Sequence, residues 1–215
     1  MKRDKVSRNP MDKNGIRRTS KDIRHTVWVI LLIPLTAMIL IGCISSSRRG
    51  EIFRRKDALS RIKRIAVVPF DNLSDRLDAE VLVTTIFIGE IDHGQRFSVL
   101  KYGDIREFLL NEGILSTEMF TREILHNLAQ TFSIDGIMLG TIINYREWNP
   151  DKGKEPAMIH ISARLLDCKN GRIIWFGQDE RTGWDERIFF DIGETVFCSQ
   201  LVQKTARKFL KELEI

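Results

Sequence analysis

The chain has 215 residues and a formal net charge of +5, with 34 Lys and Arg against 29 Asp and Glu. Residues 1–42 hold 9 of the basic and 3 of the acidic residues, so the remaining 173 carry 25 and 26, a net charge of −1. The basic excess belongs to the leader, which removes charge as an argument for nucleic-acid binding and leaves enough chain for one domain with a sizeable core.

In chain order, Lys21 and Arg24 precede an uncharged run from Thr26, apolar from Val27 to Ile41, that closes on Leu40-Ile41-Gly42-Cys43. This resembles the lipobox of a bacterial lipoprotein signal, in which a peptidase cuts before a cysteine whose thiol has received a diacylglycerol. The residue types suit that chemistry: a thiol is nucleophilic enough to take the lipid, and Gly42 leaves room at the scissile bond. The resemblance implies that residues 1–42 are a signal peptide, that cleavage falls between Gly42 and Cys43, and that the mature chain starts at a lipidated Cys43. Thr26–Cys43 is also just long enough for an uncleaved membrane-spanning helix. Pro34 in its middle and the placement of the Gly-Cys pair favour the lipoprotein. Arg48, Arg49, Arg54, Arg55 and Lys56 pull the other way, because positive charge prefers the cytoplasmic side, but the leader ahead of the run is basic as well.

Residues 43–62 read as the lipidated cysteine and a basic tether, since 44–60 lack apolar periodicity. Its cations suit anionic headgroups, or serve only as a solvated spacer. The domain is expected over 63–215. Ile65-Ala66-Val67-Val68-Pro69-Phe70 reads as a strand buried on both faces, and Asp71-Asn72-Leu73-Ser74-Asp75 as a turn. Leu82, Val83, Ile86 and Phe87 predict a helix over 78–92, and Phe97-Ser98-Val99-Leu100 a second strand. Helices follow over 104–112, ended by Gly113, and over 121–132. Strands are expected at 137–143, at 157–165 with Ala157, Ile159, Ile161, Ala163 and Leu165 on one face, and at 173–176 after a tight Lys169-Asn170-Gly171 turn. The last element is an amphipathic helix over about 191–213 with Phe197, Leu201, Val202, Phe209 and Leu213 facing the core. The order β-α-β-α-α-β-β-β-α describes a single α/β domain, a mixed sheet of about five strands with helices packed on it.

Five segments carry a resemblance to one superfamily. They are Arg64–Ser74, Tyr102–Leu109, Asp135–Ile142 (Asp, an apolar residue, then Gly140), Leu165–Trp175 (a strand ending in Asp167, a turn through Gly171, a return to Trp175) and the closing helix. Together they resemble the superfamily of the amino-terminal domain of TolB and the curli-secretion lipoprotein CsgG. The resemblance implies a periplasmic scaffold domain like those of lipoprotein activators of penicillin-binding proteins. It does not imply a pore, because Asn144–Pro156 and Gln178–Phe190 are short and charged, whereas a spanning strand needs about nine to eleven alternating residues. Ile44 beside the cysteine, where many inner-membrane lipoproteins have Asp, implies the outer membrane facing the periplasm.

No catalytic constellation stands out, and no cofactor or small-molecule substrate is inferred. There is no phosphate-binding glycine loop, no Gly-x-Ser-x-Gly and no Cys-x-x-Cys. His93, His126 and His160 fall on three different predicted elements without ligand spacing, so no metal site is expected. Glu90, Asp92 and His93 read as a capped and solvated helix end. Cys168 and Cys198 read as two buried thiols, with a disulfide the alternative in an oxidising compartment. Trp175 belongs to the core. Trp148 and Trp184 lie in charged loops at strand ends, where tryptophan more often anchors a core edge and, when exposed, builds protein-binding surfaces. The expected function is a lipid-anchored, non-enzymatic binding or assembly module. Its contacts are the membrane, through the lipid, and an envelope protein or its own copies, through the Trp148 and Trp184 loops and the sheet edge. The alternative is an oligomeric subunit of an outer-membrane secretion or export apparatus.

Overall fold

The computed structural model describes residues 52–149, 155–185 and 197–214. The apolar run after Lys63 forms an interior strand of the sheet, covered on both faces, because it has no polar side: Ile65 and Val67 enter one core cluster, Ala66 and Val68 the other. Around it the elements run β1 (Ile52–Arg54), α1 (Lys56–Leu59), β2 (Arg64–Val67), β3 (Asp71–Asn72), α2 (Ala79–His93), β4 (Ser98–Val99), α3 (Tyr102–Asn111), a 3-10 turn (Thr117–Met119), α4 (Arg122–Phe132), β5 (Gly136–Arg146), β6 (Met158–Asp167), β7 (Arg172–Thr182) and α5 (Cys198–Leu213). The strands make one open mixed sheet in the order β1-β7-β6-β5-β2-β4, with β3 extending the β5 edge beyond β2. β2 is parallel to β4 and β5; the β5-β6-β7-β1 half is antiparallel.

Helices cover both faces. α2 and α5 bury Val83, Phe87, Ile91, Leu201, Val202 and Phe209 against Val67, Met138, Ile161 and Trp175. On the other face α3 and α4 bury Ile105, Leu109, Leu125 and Leu128 against Ala66, Ile137 and Leu139. This is the expected α/β architecture, with seven strands and five helices among the described residues.

Several details differ from the expectation. Asp71–Asn72, expected in a turn, pairs with β5 as β3, and the strand expected at 173–176 runs on to Thr182, because its charged residues are ordered by pairing with β6. Residues 52–62, assigned to the tether, begin the folded unit: β1 pairs with β7, and Leu59 and Ile62 are buried in the core. Three residues beside a run of cations hold too little alternation to read as a strand, and it is the free edge of β7 that orders them. Phe197, expected on the core stripe of the last helix, is 61 % exposed because it precedes the first helical turn. Glu90 does not end in solvent but bridges α2 to α5, accepting from Arg207 Nε at 2.8 Å and Gln203 Nε2 at 2.6 Å.

The hairpin is as expected. Gly171 has φ +66°, and a bulge at Ile174 sends both Ile174 and Trp175 into the same core. On β6, Ile159, Ile161, Ala163 and Leu165 are buried while Met158, His160, Ser162 and Arg164 are half-buried on the opposite face.

Candidate functional site

The antiparallel register aligns Arg146, Met158 and Thr182, the last residue of β5, the first of β6 and the last of β7. The segments that leave the sheet here carry Trp148 and Trp184, so the topology brings both tryptophans to one end of the sheet. Each is 41 % exposed, in contrast to the fully buried Trp175.

Both sit on braced backbone. Before Trp148, Glu147 accepts from Tyr145 Oη at 3.2 Å and from the backbone N of Cys198 at 3.1 Å. Its carboxylate thereby caps α5, whose own N-cap residue, Phe197, contributes no side-chain hydrogen bond. Beside Trp184, Asp185 accepts from the backbone N and the hydroxyl of Thr182 at 2.9 and 2.8 Å, and Gly183 N donates to Ala157 O at 2.8 Å. Two aromatic side chains with few rotatable bonds, next to hydrogen-bonded segments, lose little entropy on binding a partner. Beneath them Cys198 Sγ donates to Arg146 O at 3.0 Å, and burial, with Glu147 adding to it, pushes its thiol up to about 12. Burial also raises Tyr145. Both groups are neutral packing elements at neutral pH. Cys168, likewise pushed up to about 12 by burial, lies in the other core cluster across the sheet. The two thiols are free and buried, as the sequence reading favoured.

A second feature was not anticipated. A cleft of about 720 Å³ opens beyond the end of β2, where the chain order reverses across the parallel strands, the position at which open α/β sheets commonly bind ligands. Asp71 lies in its wall and accepts from Thr117 N at 3.0 Å and from the Thr117 hydroxyl; Arg164 reaches the same hydroxyl at 3.4 Å. Exposed Leu73, Leu110 and Leu115 form an apolar rim. The signal for it is the polar turn directly after a buried strand, but its second wall comes from residues about 35 to 50 positions away.

Gly42 and Cys43 lie outside the described residues. His93 ends α2, His126 is on α4, and His160, on β6, shares a 2.5 Å hydrogen bond with Gln178. Among the described residues no three potential ligands gather as a metal site, and no helix is long and apolar enough to cross a membrane.

No family model and no curated protein matches the chain. Among solved structures, the PelC dodecamer from Paraburkholderia phytofirmans aligns with a TM-score of 0.52 at 17 % identity, over 76 % of this chain and 96 % of that one. Lipoprotein GNA1162 from Neisseria meningitidis aligns with a TM-score of 0.47 at 17 % identity, over 68 % and 96 %. The LpoB C-terminal domain from Escherichia coli aligns at 0.41 and 12 %, over 59 % and 93 %. The chain shares its fold with PelC.

Proposed function

We propose that this is a lipid-anchored protein of the bacterial envelope, within the CsgG-like and TolB amino-terminal-domain-like group, that works without catalysis by holding protein partners in the periplasm. Cys43 carries the lipid, and the outer membrane is the site of residence. The observation that carries the reading is the pair of exposed tryptophans beside hydrogen-bonded segments at one end of the sheet. Central, rigidly held tryptophans are the residues that most often dominate protein–protein binding energy. A second reading, an oligomeric subunit of an export apparatus, is favoured by the fold shared with PelC, a dodecamer.

The test compares wild type with Trp148→Ala, Trp184→Ala and Trp175→Ala, reading melting temperature, in-cell crosslinking and mass in detergent. Trp148→Ala and Trp184→Ala should each change stability by less than about 1 kcal/mol and weaken capture by about 2 kcal/mol or more, whereas Trp175→Ala should cost roughly 3–5 kcal/mol of stability. Crosslinks to one other envelope protein support the binding module, and a ring of identical subunits supports the second reading. Full crosslinking by both loop variants rules out the tryptophans as the binding surface.

A further inference from the structure

The edge strand β4 is short. It meets β2 only at Arg64 and Ile65, and from Lys101 the chain turns into α3. The same edge of the sheet continues past β4 to β3, where among the described residues no further strand pairs with it. The cleft of about 720 Å³ follows this edge, lined by every residue from Val68 to Leu73. In β3, Leu73 N donates to Ile142 O at 2.9 Å, so Leu73 turns its N–H toward β5. Successive residues of a strand turn their peptide groups to opposite sides, and Asn72 therefore directs its N–H and C=O to the open side. Just before it, Pro69 has no N–H and Phe70 N donates to Thr84 Oγ1 at 3.0 Å, which leaves β3 itself to offer the pairing groups.

The walls decide what chemistry suits this edge. Leu110 and Leu115, on the α3 side of the cleft, are 71 % and 87 % exposed. Charges of both signs line the rest: Arg106 and Arg164 with Asp71, Glu80 and Glu118. Asp71 is already engaged by the Thr117 backbone and hydroxyl. A lining of mixed sign selects neither an anion nor a cation. A main-chain donor and acceptor beside aliphatic side chains fit an uncharged peptide in extended conformation. We propose that an extended, aliphatic-rich segment of a partner protein adds to the sheet beside β3, pairing with the main chain of Asn72 and seating alternate side chains on Leu110 and Leu115. This rests on the partner-binding reading and gives it a second contact at the tryptophan end of the sheet. β3 lies opposite Thr141 and Ile142, and β5 ends four residues later at Arg146.

The experiment selects phage-displayed random peptides of about twelve residues, long enough for a strand, on the full chain in detergent. Counter-selection uses the double variant Leu110→Ser, Leu115→Ser, which truncates two exposed side chains and should melt as wild type does. Enriched peptides, resynthesised with capped ends, should carry aliphatic residues at alternate positions. They should bind the double variant about tenfold more weakly than wild type, and Trp148→Ala within about twofold of it. At saturation the Asn72 amide should exchange with solvent about tenfold more slowly, read residue by residue by NMR. No enrichment over the double variant, equal affinity for the two proteins, or unchanged exchange at Asn72 overturns the proposal, as does binding lost in Trp148→Ala instead. In-cell crosslinking reports the partner-binding reading separately. Crosslinks that form while no peptide is enriched leave that reading standing and remove the strand site; no crosslink to any protein removes both.

Discussion

At Gly171 the backbone has φ +66°, and a Cβ would come within 3.2 Å of Arg122 Cγ. Gly171→Val should lower stability by about 1–3 kcal/mol in chemical denaturation, from left-handed backbone and crowding combined. Its neighbours in the turn act on the same backbone: Asp167 accepts from Lys169 N and Asn170 Nδ2, both at 2.9 Å. Asp135 does the same at the mouth of β2, accepting from Lys63 N and Arg64 N at 2.9 Å. At Gly140 any Cβ would meet the buried Phe70 ring at 2.3 Å. The residues that carry the family resemblance are thus turn-makers and packing sites, which is why they read clearly from sequence and say nothing of a partner. Glu212 makes a pH-dependent statement. Burial, with Asp179 adding, raises its pKa above the ordinary 4.5, against Lys208 and Arg54. The folded carboxyl holds its proton more tightly than the unfolded one, so its contribution is full below about 4.5 and is lost as pH rises through the raised value. Glu212→Gln should therefore raise the melting temperature at pH 7 and leave it unchanged near pH 4.

Among the elements, α5 depends most on tertiary context. Its apolar stripe is legible, but two of its fixings are not: Glu147, about 50 residues earlier, caps it, and Asp179 on β7 receives the Thr205 hydroxyl at 2.7 Å together with Lys208 and Arg181. Asp179→Asn should cost about 2 kcal/mol in a denaturant titration, below the loss expected for a fully buried pair because both cations reach water. A melt indistinguishable from wild type would show the cluster to be ornamental to stability. β1 teaches the same lesson from the other side. Ile52-Phe53-Arg54 has no pattern of its own and is a strand only because β7 offers an unpaired edge.

For the whole molecule, the anchor is the first matter to test. Cys43→Ala should abolish incorporation of labelled fatty acid and leave the leader uncut; equal label on both proteins, or none on either, would refute the lipid anchor. Periodicity and turn chemistry determined the fold class, the hairpin, the buried thiols and the loops bearing Trp148 and Trp184, because each depends on neighbours within a few residues. Strand order, the placing of those two loops at one end of the sheet, the cleft beside Asp71 and the groove joining β1, β7 and α5 were decided by tertiary structure alone. They unite residues up to about 150 positions apart, and no local preference records which strand will lie beside which.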